Sequence, residues 1–372
     1  MSAIGPFTEP APGCKPAPPP VLTADQQTKY DELLAEVRSW ESLPTATKKD
    51  AESAPLDDEE RMWLTRECLL RYLRATKWVL PNAITRLRST LVWRREYGTD
   101  RFTADYISEE NATGKQVLLG FDNEGRPCLY LLPQNQNTKE TPKRVEHLVY
   151  MLERTIDLHP PGQEKLALLI DFRNTGAGGT PSLGVARQVL DILQNHYPER
   201  LGRALLTHLP WYVNAFLKLV NPFIDPVTKA NIKPNEPLPD HVPVSQLMTV
   251  SGGEVDFKYD HSIYWPALEK ITTERRVQRK ERWEKGGKII GESEIYLWGG
   301  EEGSLNGPKE EVVANGNSNL QENTESKDTV VEETNGTVNT NDVALATGVA
   351  KLDVSGSEQA KNTQAQTVPT AA

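Results

Sequence analysis

Apolar residues recur at helical spacing through the first hundred positions, then give way to short strand-like runs. Tyr30, Leu33, Leu34 and Val37 fall on one side of a helix expected over about Ala24 to Trp40. Met62, Leu64, Cys68, Leu69, Tyr72 and Leu73 keep the same period. Pro81 marks a further helix start, Ile84, Leu87, Leu91 and Val92 carry it to Trp93, and Gly98 closes it. Beyond that point Val117 to Gly120 and Cys128 to Leu132 flank Asp122-Asn123-Glu124-Gly125, a hairpin signal. Val145, Leu148, Val149, Leu152 and Ile156 predict a helix over Val145 to Leu158. Leu166 to Ile170 is a continuous apolar run stopped by Asp171, as in a buried strand, and Leu183 to Gln194 is helical. After Tyr264 a charged helix with Trp265, Leu268, Ile271 and Val277 ends near Gly286-Gly287. This alternation predicts an α/β fold, a mixed sheet with covering helices.

One segment breaks the amphipathic rule. From Trp211 to Val220 only Asn214 and Lys218 are polar, four apart on one face. A surface helix normally opposes an apolar stripe with a polar face. Pro222 and Pro226 then stop the helix and stiffen the turn. Taken alone, such a helix fits a fully buried core element. It also fits a lid with apolar ligand on one side and membrane on the other.

Charge is unevenly distributed. The 372-residue chain carries a net charge of −10. Residues 301–372 contain 12 acidic and 4 basic residues, a net of −8, which leaves −2 for residues 1–300. A nucleic-acid binder would need a concentrated basic footprint, so nucleic acid is not an expected partner. Cys14, Cys68 and Cys128 are widely spaced, and the Pro-rich start lacks a basic-then-apolar leader, so a reducing cytoplasmic address is expected. The longest apolar stretch, Ala204 to Val220, is cut by His208, Pro210, Asn214 and Lys218, so membrane contact should be peripheral; the endoplasmic reticulum, lipid droplets and the cell periphery stand as equal alternatives. These patterns divide the chain into a disordered Pro-rich start (1–20), a helical lobe (24–100), an α/β domain (105–260), a C-terminal helix and extension (261–299) and a disordered acidic tail (300–372).

No catalytic constellation emerges. Cys68 and Arg74 have the spacing of a phosphatase loop, but the residues between them are Leu, Leu, Arg, Tyr and Leu on a helical pattern without glycine. Gly176 to Gly179 is not followed by Lys-Ser/Thr, and Gly114-Lys115-Gln116 lacks the hydroxyl of a phosphate loop. The histidines show no zinc-ligand spacing, and Gly184 precedes no hydrolase serine elbow. Neither a cofactor nor a metal is expected.

The ordered block HYPERLGRALLTHLPWYVNAFLKLVNPFIDPVTKANI, His196 to Ile232, closely resembles the gate region of the CRAL-TRIO lipid-binding family. Tyr197 to Arg200 matches the family's Tyr-Pro-Glu-Arg turn and Pro222 to Thr228 its Pro-Phe-(Ile/Leu)-Asp-Pro-Val-Thr. Leu69 to Asp100 resembles the family's small N-terminal helical lobe, and the resemblance spans about Arg61 to Gly287. It implies a CRAL-TRIO fold with a gate helix over an apolar cavity. The gate comprises Trp211, Tyr212, Val213, Phe216, Leu217 and Val220, followed by Phe223 and Ile224.

The resemblance also implies a head-group site for an inositol phospholipid. Glu199 matches the family glutamate, Thr228 the threonine and Lys77 the lysine of an Arg/Lys pair. Two positions depart: the family arginine is Thr76 and the gate lysine is Asn231. Asn231 retains hydrogen-bonding capacity, and Lys229 or Lys233 could reach a phosphate. For Glu199 alone, the plain alternative is a salt bridge to Arg200 or Arg203. Where relatives that carry phosphatidylcholine place small hydroxyl residues and a tyrosine, this chain has Leu166, Leu168, Ile170 and Leu129, an apolar cavity wall. That exchange suits a sterol or another weakly polar lipid. The chain looks most like the fungal branch linked to azole tolerance, on strings such as ECLLRYLRATKWVL and HYPERLGRALLTHLPW. The implied activity is non-vesicular binding and exchange of phosphatidylinositol, with sterol as second ligand. The alternatives are a lipid-sensing regulator that presents lipid to a lipid kinase or membrane scaffold, and a hydrophobic-ligand binder indifferent to phosphoinositides. A homodimer through the gate region is a further partner expectation.

Overall fold

The computed structural model describes residues 5–176 and 181–307. The first helix, α1 (Ala24–Arg38), starts at Thr23, whose side chain and Gln26 form a reciprocal capping box. A two-stranded antiparallel hairpin, β1 (Ser42–Pro44) and β2 (Ser53–Pro55), follows. The helical run expected from Met62 is interrupted. Asp57 caps α2 (Asp58–Trp63), the chain turns at Leu64, and Thr65 caps α3 (Arg66–Ala75) through the Cys68 N–H at 3.0 Å. The longer α4 (Leu80–Tyr97) ends on Gly98 at φ 80°, a left-handed cap that glycine adopts without steric cost. Leu33, Leu43, Leu64, Leu69, Leu73, Leu87 and Leu91 form one core among these elements.

After α5 (Ala104–Ser108) comes a hairpin of β3 (Gln116–Phe121) and β4 (Pro127–Leu131). Asp122 Oδ1 closes its turn by accepting from the Glu124 and Arg126 N–H groups, both at 2.9 Å. The chain continues through α6 (Pro142–Asp157), β5 (Leu166–Asp171), α7 (Leu183–His196), β6 (Leu201–Thr207), α8 (Trp211–Val220), α9 (Pro226–Asn231) and β7 (Ile232–Pro234). It then forms α10 (His261–Lys285) and α11 (Glu294–Leu297). The five-stranded sheet has the order β3-β4-β5-β6-β7; β3 and β4 are antiparallel and the other pairs parallel. Mixed topology with helical crossovers is the α/β architecture that the alternating pattern predicts.

Register determines what shares a face. Leu129 lies beside Leu168, Leu168 beside Ala204, and Ile170 beside Leu206. Leu166 and Leu168 meet Val145, Val149, Leu152 and Ile156 of α6 and Ile192 of α7. Ala167 and Leu169 point to the opposite face and belong to a cluster with Leu205, Leu238, Val242 and Leu247.

Two terminal expectations need correction. Residues 5–20, expected to lack order, instead lie as a strap without helix or strand that turns at Pro12-Gly13. Phe7 packs on the main core, Arg275 bonds the Thr8 carbonyl and Glu9, and Gln246 bonds the Glu9 carbonyl at 2.9 Å. Proline favours an extended backbone without helix or sheet, and here side chains elsewhere in the chain supply its partners. At the other end, residues 300–307 belong to the fold. Leu305 N–H and Ser304 Oγ donate to the buried Glu292, and Asn306 Nδ2 donates to the Gly286 carbonyl at 3.1 Å. The rest of the acidic tail expected over 300–372 lies outside the described residues, as do residues 1–4 and most of the Gly176–Gly179 run.

Candidate functional site

The Tyr-Pro-Glu-Arg turn hangs between the end of α7 and the start of β6, and the helical lobe grips it. A helix C-terminus leaves carbonyls without intrahelical donors. Arg86 of α4 supplies two, Nε to the Asn195 carbonyl at 3.2 Å and Nη2 to the Gln194 carbonyl, and Tyr72 Oη donates to the His196 carbonyl at 3.3 Å. Thr90 meets His196 Nδ1 at 3.1 Å, and Trp93 stacks on the imidazole with centroids 4.1 Å apart. Burial, with Arg86 and Arg94 adding to it, holds the His196 pKa down at about 4. Tyr197 donates to Glu153 at 2.6 Å, where Arg94 also binds at 2.7 Å. Burial works to raise the Glu153 pKa, but Arg94 overrides it and brings the value to about 2.

Glu199 is thereby fixed in a left-handed backbone conformation, φ 58°. Its carboxylate pairs with Arg74 Nε at 2.5 Å, and Arg74 also reaches Glu164 at 3.0 Å. The expected partners, Arg200 and Arg203, are engaged elsewhere. Arg200 bonds the Glu164 carbonyl, and Arg203 lies against Asp122 and Glu124.

Thr76 caps α3, and its hydroxyl donates back to the Tyr72 carbonyl at 2.9 Å. Lys77 and Trp78 are both left-handed, φ 54° and 61°, and turn the chain toward α4. Lys77 is exposed and makes no ion pair among the described residues. Thr228 lies in the first turn of α9, its N–H held by Asp225 Oδ1 at 2.9 Å. Three residues on, Asn231 Nδ2 donates to the Leu201 carbonyl at 3.1 Å. The structure therefore ties Glu199 to α3 through Arg74 and ties α9 to the chain two residues beyond Glu199. Glu199 and Asn231 thus make contacts at the two ends of the Glu199–Leu201 segment, whereas the Thr76 hydroxyl bonds within its own helix end and Lys77 and Thr228 make no side-chain contact to either among the described residues.

Two residues here escaped the sequence reading. In sequence Arg74 bears only the spacing of a phosphatase loop to Cys68, and Arg86 belongs to no motif. A signal for Arg86 exists: Arg86, Thr90 and Trp93 follow i, i+4, i+7 along α4, a polar-aromatic line beside the apolar one.

Beside this turn, α8 occupies Trp211–Val220, between Pro210 at its N-cap and Pro222 in the turn that follows. It is not a buried core helix. Val213, Val220 and Ile224 are buried and Phe216 and Leu217 half-buried; of these, Val220, Ile224, Phe216 and Leu217 cluster with Ala186 of α7. Trp211 is 81% exposed, Leu219 54% and Phe223 42%. Both sides of the helix are thus apolar. Its entry is pinned by His208, left-handed at φ 54°, whose Nδ1 meets Asp171 at 2.9 Å, and by Tyr212 Oη, which donates to the Thr175 carbonyl. Its exit is pinned by Gln194 Nε2 on the Phe223 carbonyl at 2.8 Å and by Arg187 over the Phe223 ring at 4.3 Å. On the sheet, Leu129 and Leu166 are buried, whereas Leu168 and Ile170 are only half-covered, so apolar wall is accessible along β5. Among the described residues no helix is long and apolar enough to cross a membrane.

Two family models match the chain: the CRAL/TRIO domain over residues 111–253, and the CRAL/TRIO N-terminal domain over residues 29–89. A CRAL-TRIO domain-containing protein of Schizosaccharomyces pombe is 51% identical over 281 residues, which is 76% of this chain but 28% of that protein. The phosphatidylinositol transfer protein PDR17 of Saccharomyces cerevisiae is 41% identical over 310 residues, 78% of this chain and 88% of that one. The solved structure of Sfh5 superposes more distantly, over 70% of this chain and 99% of its own at a TM-score of 0.46 and 13% identity.

Proposed function

The chain belongs to the CRAL-TRIO family, and on that premise we propose that it binds phosphatidylinositol and exchanges it between membranes without a vesicle, with sterol as a second ligand. The observation that carries this reading is α8, apolar on both faces and pinned at both ends beside a turn rich in hydrogen-bonding groups. Such a helix can leave the sheet, meet lipid with Trp211, Leu219 and Phe223, and reclose over acyl chains. Affinity comes from burying those chains, at about 0.8 kcal/mol per CH2. Selectivity comes from the polar end. Glu199 would accept from inositol hydroxyls, and Thr228, Asn231 and Lys77 would donate to hydroxyls or phosphate. No bond is made or broken: one lipid leaves at a membrane, another enters, and the closed protein diffuses. The yeast relative at 41% identity, a phosphatidylinositol transfer protein, supports this reading. Leucines at 129, 166 and 168 favour a weakly polar second ligand and motivate the sterol.

Glu199→Ala and Thr228→Asp should each lower phosphatidylinositol transfer at least about tenfold, the consequence of leaving a desolvated polar partner unpaired. Thermal unfolding should be close to wild type. Normal transfer by both variants would remove the head-group assignment. Native mass spectrometry of protein purified from a eukaryotic host identifies the resident lipid; sterol without phosphatidylinositol would reverse the order of the two ligands. Deleting residues 308–372 should leave transfer unchanged in a two-vesicle assay. A loss of transfer would move the lipid-exchange function partly into that segment.

A further inference from the structure

The two family cations absent at Thr76 and Asn231 leave a phosphodiester without an obvious buried counter-charge. The structure offers a replacement from an unexpected helix. Arg86 of α4 is half-buried. Its Nε and Nη2 reach the Asn195 and Gln194 carbonyls, while Nη1 makes no hydrogen bond and the guanidinium no ion pair among the described residues. Tyr72 lies against it, ring centroid 5.9 Å from the guanidinium carbon.

Its position is fixed from two sides. Through Asn195 it holds the chain four residues before Glu199. Through Gln194 it connects to the gate exit, because the Gln194 side chain donates to the Phe223 carbonyl at 2.8 Å, two residues before Asp225. Asp225 in turn caps the helix that carries Thr228 and Asn231. Glu199 and Asp225 both act on the Arg86 charge, which burial otherwise drives below the ordinary arginine pKa. The other guanidinium at this turn, Arg74, is already neutralised by Glu164 and Glu199.

Arg86 is thus a half-buried guanidinium within electrostatic reach of Glu199 and Asp225, with Nη1 unspent and no direct ion pair among the described residues, so it can still take an anion. We propose that Arg86 is the phosphate-binding cation of this site, receiving the phosphodiester of an inositol phospholipid on Nη1. It thereby takes the work that Thr76 and Asn231 cannot do. This inference rests on the head-group reading of Glu199 and Thr228. Guanidinium suits the task, since it stays charged under desolvation and offers further donors after two are spent on carbonyls.

The plain alternative is that Arg86 only caps α7. Arg86→Gln separates the two roles, because glutamine keeps a carbonyl-directed donor but loses the charge. Transfer of radiolabelled phosphatidylinositol between phosphatidylcholine vesicles is measured for the full chain, for R86Q, and for R86Q combined with Thr76→Arg or with Asn231→Lys. R86Q is expected to lose at least about tenfold in transfer rate. Restoring a cation at Thr76 or Asn231 is expected to recover most of it, which a capping role would not allow. Wild-type transfer by R86Q overturns the proposal while leaving Glu199 and Thr228 to their own variants. A loss that neither added cation restores, accompanied by a lowered melting temperature, overturns it in favour of capping. If wild type carries no phosphatidylinositol at all, the head-group reading fails and this inference with it.

Discussion

A protein carrying Trp211→Glu together with Leu219→Glu is expected to fold normally and to lose its hold on lipid vesicles. Both side chains are largely exposed, so the fold gives up little. Moving an apolar side chain of this size out of water is worth about 1.5–3 kcal/mol. Two of them set a loss of about 3–6 kcal/mol, or about 10²–10⁴-fold in membrane partitioning. Vesicle co-sedimentation measures the loss, and a thermal melt confirms that the protein is intact. Undiminished sedimentation would remove α8 as the docking surface. Lys218 lies on the exposed side of the same helix, so weaker residual binding should persist on anionic vesicles and fade with salt.

The second large effect is on stability. Glu294 of the C-terminal extension is buried and pairs with Arg71 at 2.7 Å, and it also accepts from Thr65 Oγ1 at 2.8 Å. Removing one partner of a buried pair strands the other. Arg71 would keep Glu164 at 2.8 Å, so Glu294→Ala should cost about 3 kcal/mol, the low end of the range for such breaks. Urea unfolding should show a lower midpoint with an unchanged slope. A midpoint equal to wild type would mean that the extension is not part of the cooperative unit. Acid should act on the same pairs. Burial opposes ionisation of Glu294, but Arg71 and Arg200 pull its pKa well below 4.5, as Arg94 brings Glu153 to about 2. Folded values below the unfolded ones mean that this stabilisation is complete above about pH 4.5 and is lost as pH falls toward 2. Glu67 has the opposite sign. Burial, then the Glu294 charge, raise its pKa, so its ionisation costs stability as pH rises through 4.5.

Much of the architecture was legible because the signals were local. Pro210 and Pro222 bracket α8, Asp171 ends β5, and Asp122 with Gly125 makes the hairpin turn. Each is a backbone constraint readable from a few adjacent residues. What stayed hidden depends on contacts far apart in the chain. The break between α2 and α3 needs the Thr65 cap, and Thr65 is held in turn by Glu294, 229 positions away. The N-terminal strap has almost no regular structure and is anchored by Gln246 and Arg275. Glu199 looked like a neighbour of Arg200 and Arg203 because sequence adjacency suggests it. Its left-handed backbone turns the side chain back to Arg74 on α3 instead. Arg86 carries no local signal of its contacts, because a cation on an amphipathic helix ordinarily belongs to its solvated face. Only the packing of α4 on the end of α7 reveals where it points.

The last strand of the sheet, β7, has three residues and ends in Pro234. An unpaired strand edge is a template on which other chains can add. Proline offers no N–H, Lys233 brings a charge, and so short an edge gives an incoming strand almost no ladder to extend. The last strand is therefore a poor seed for aggregation even if α8 moves away from the sheet beside it.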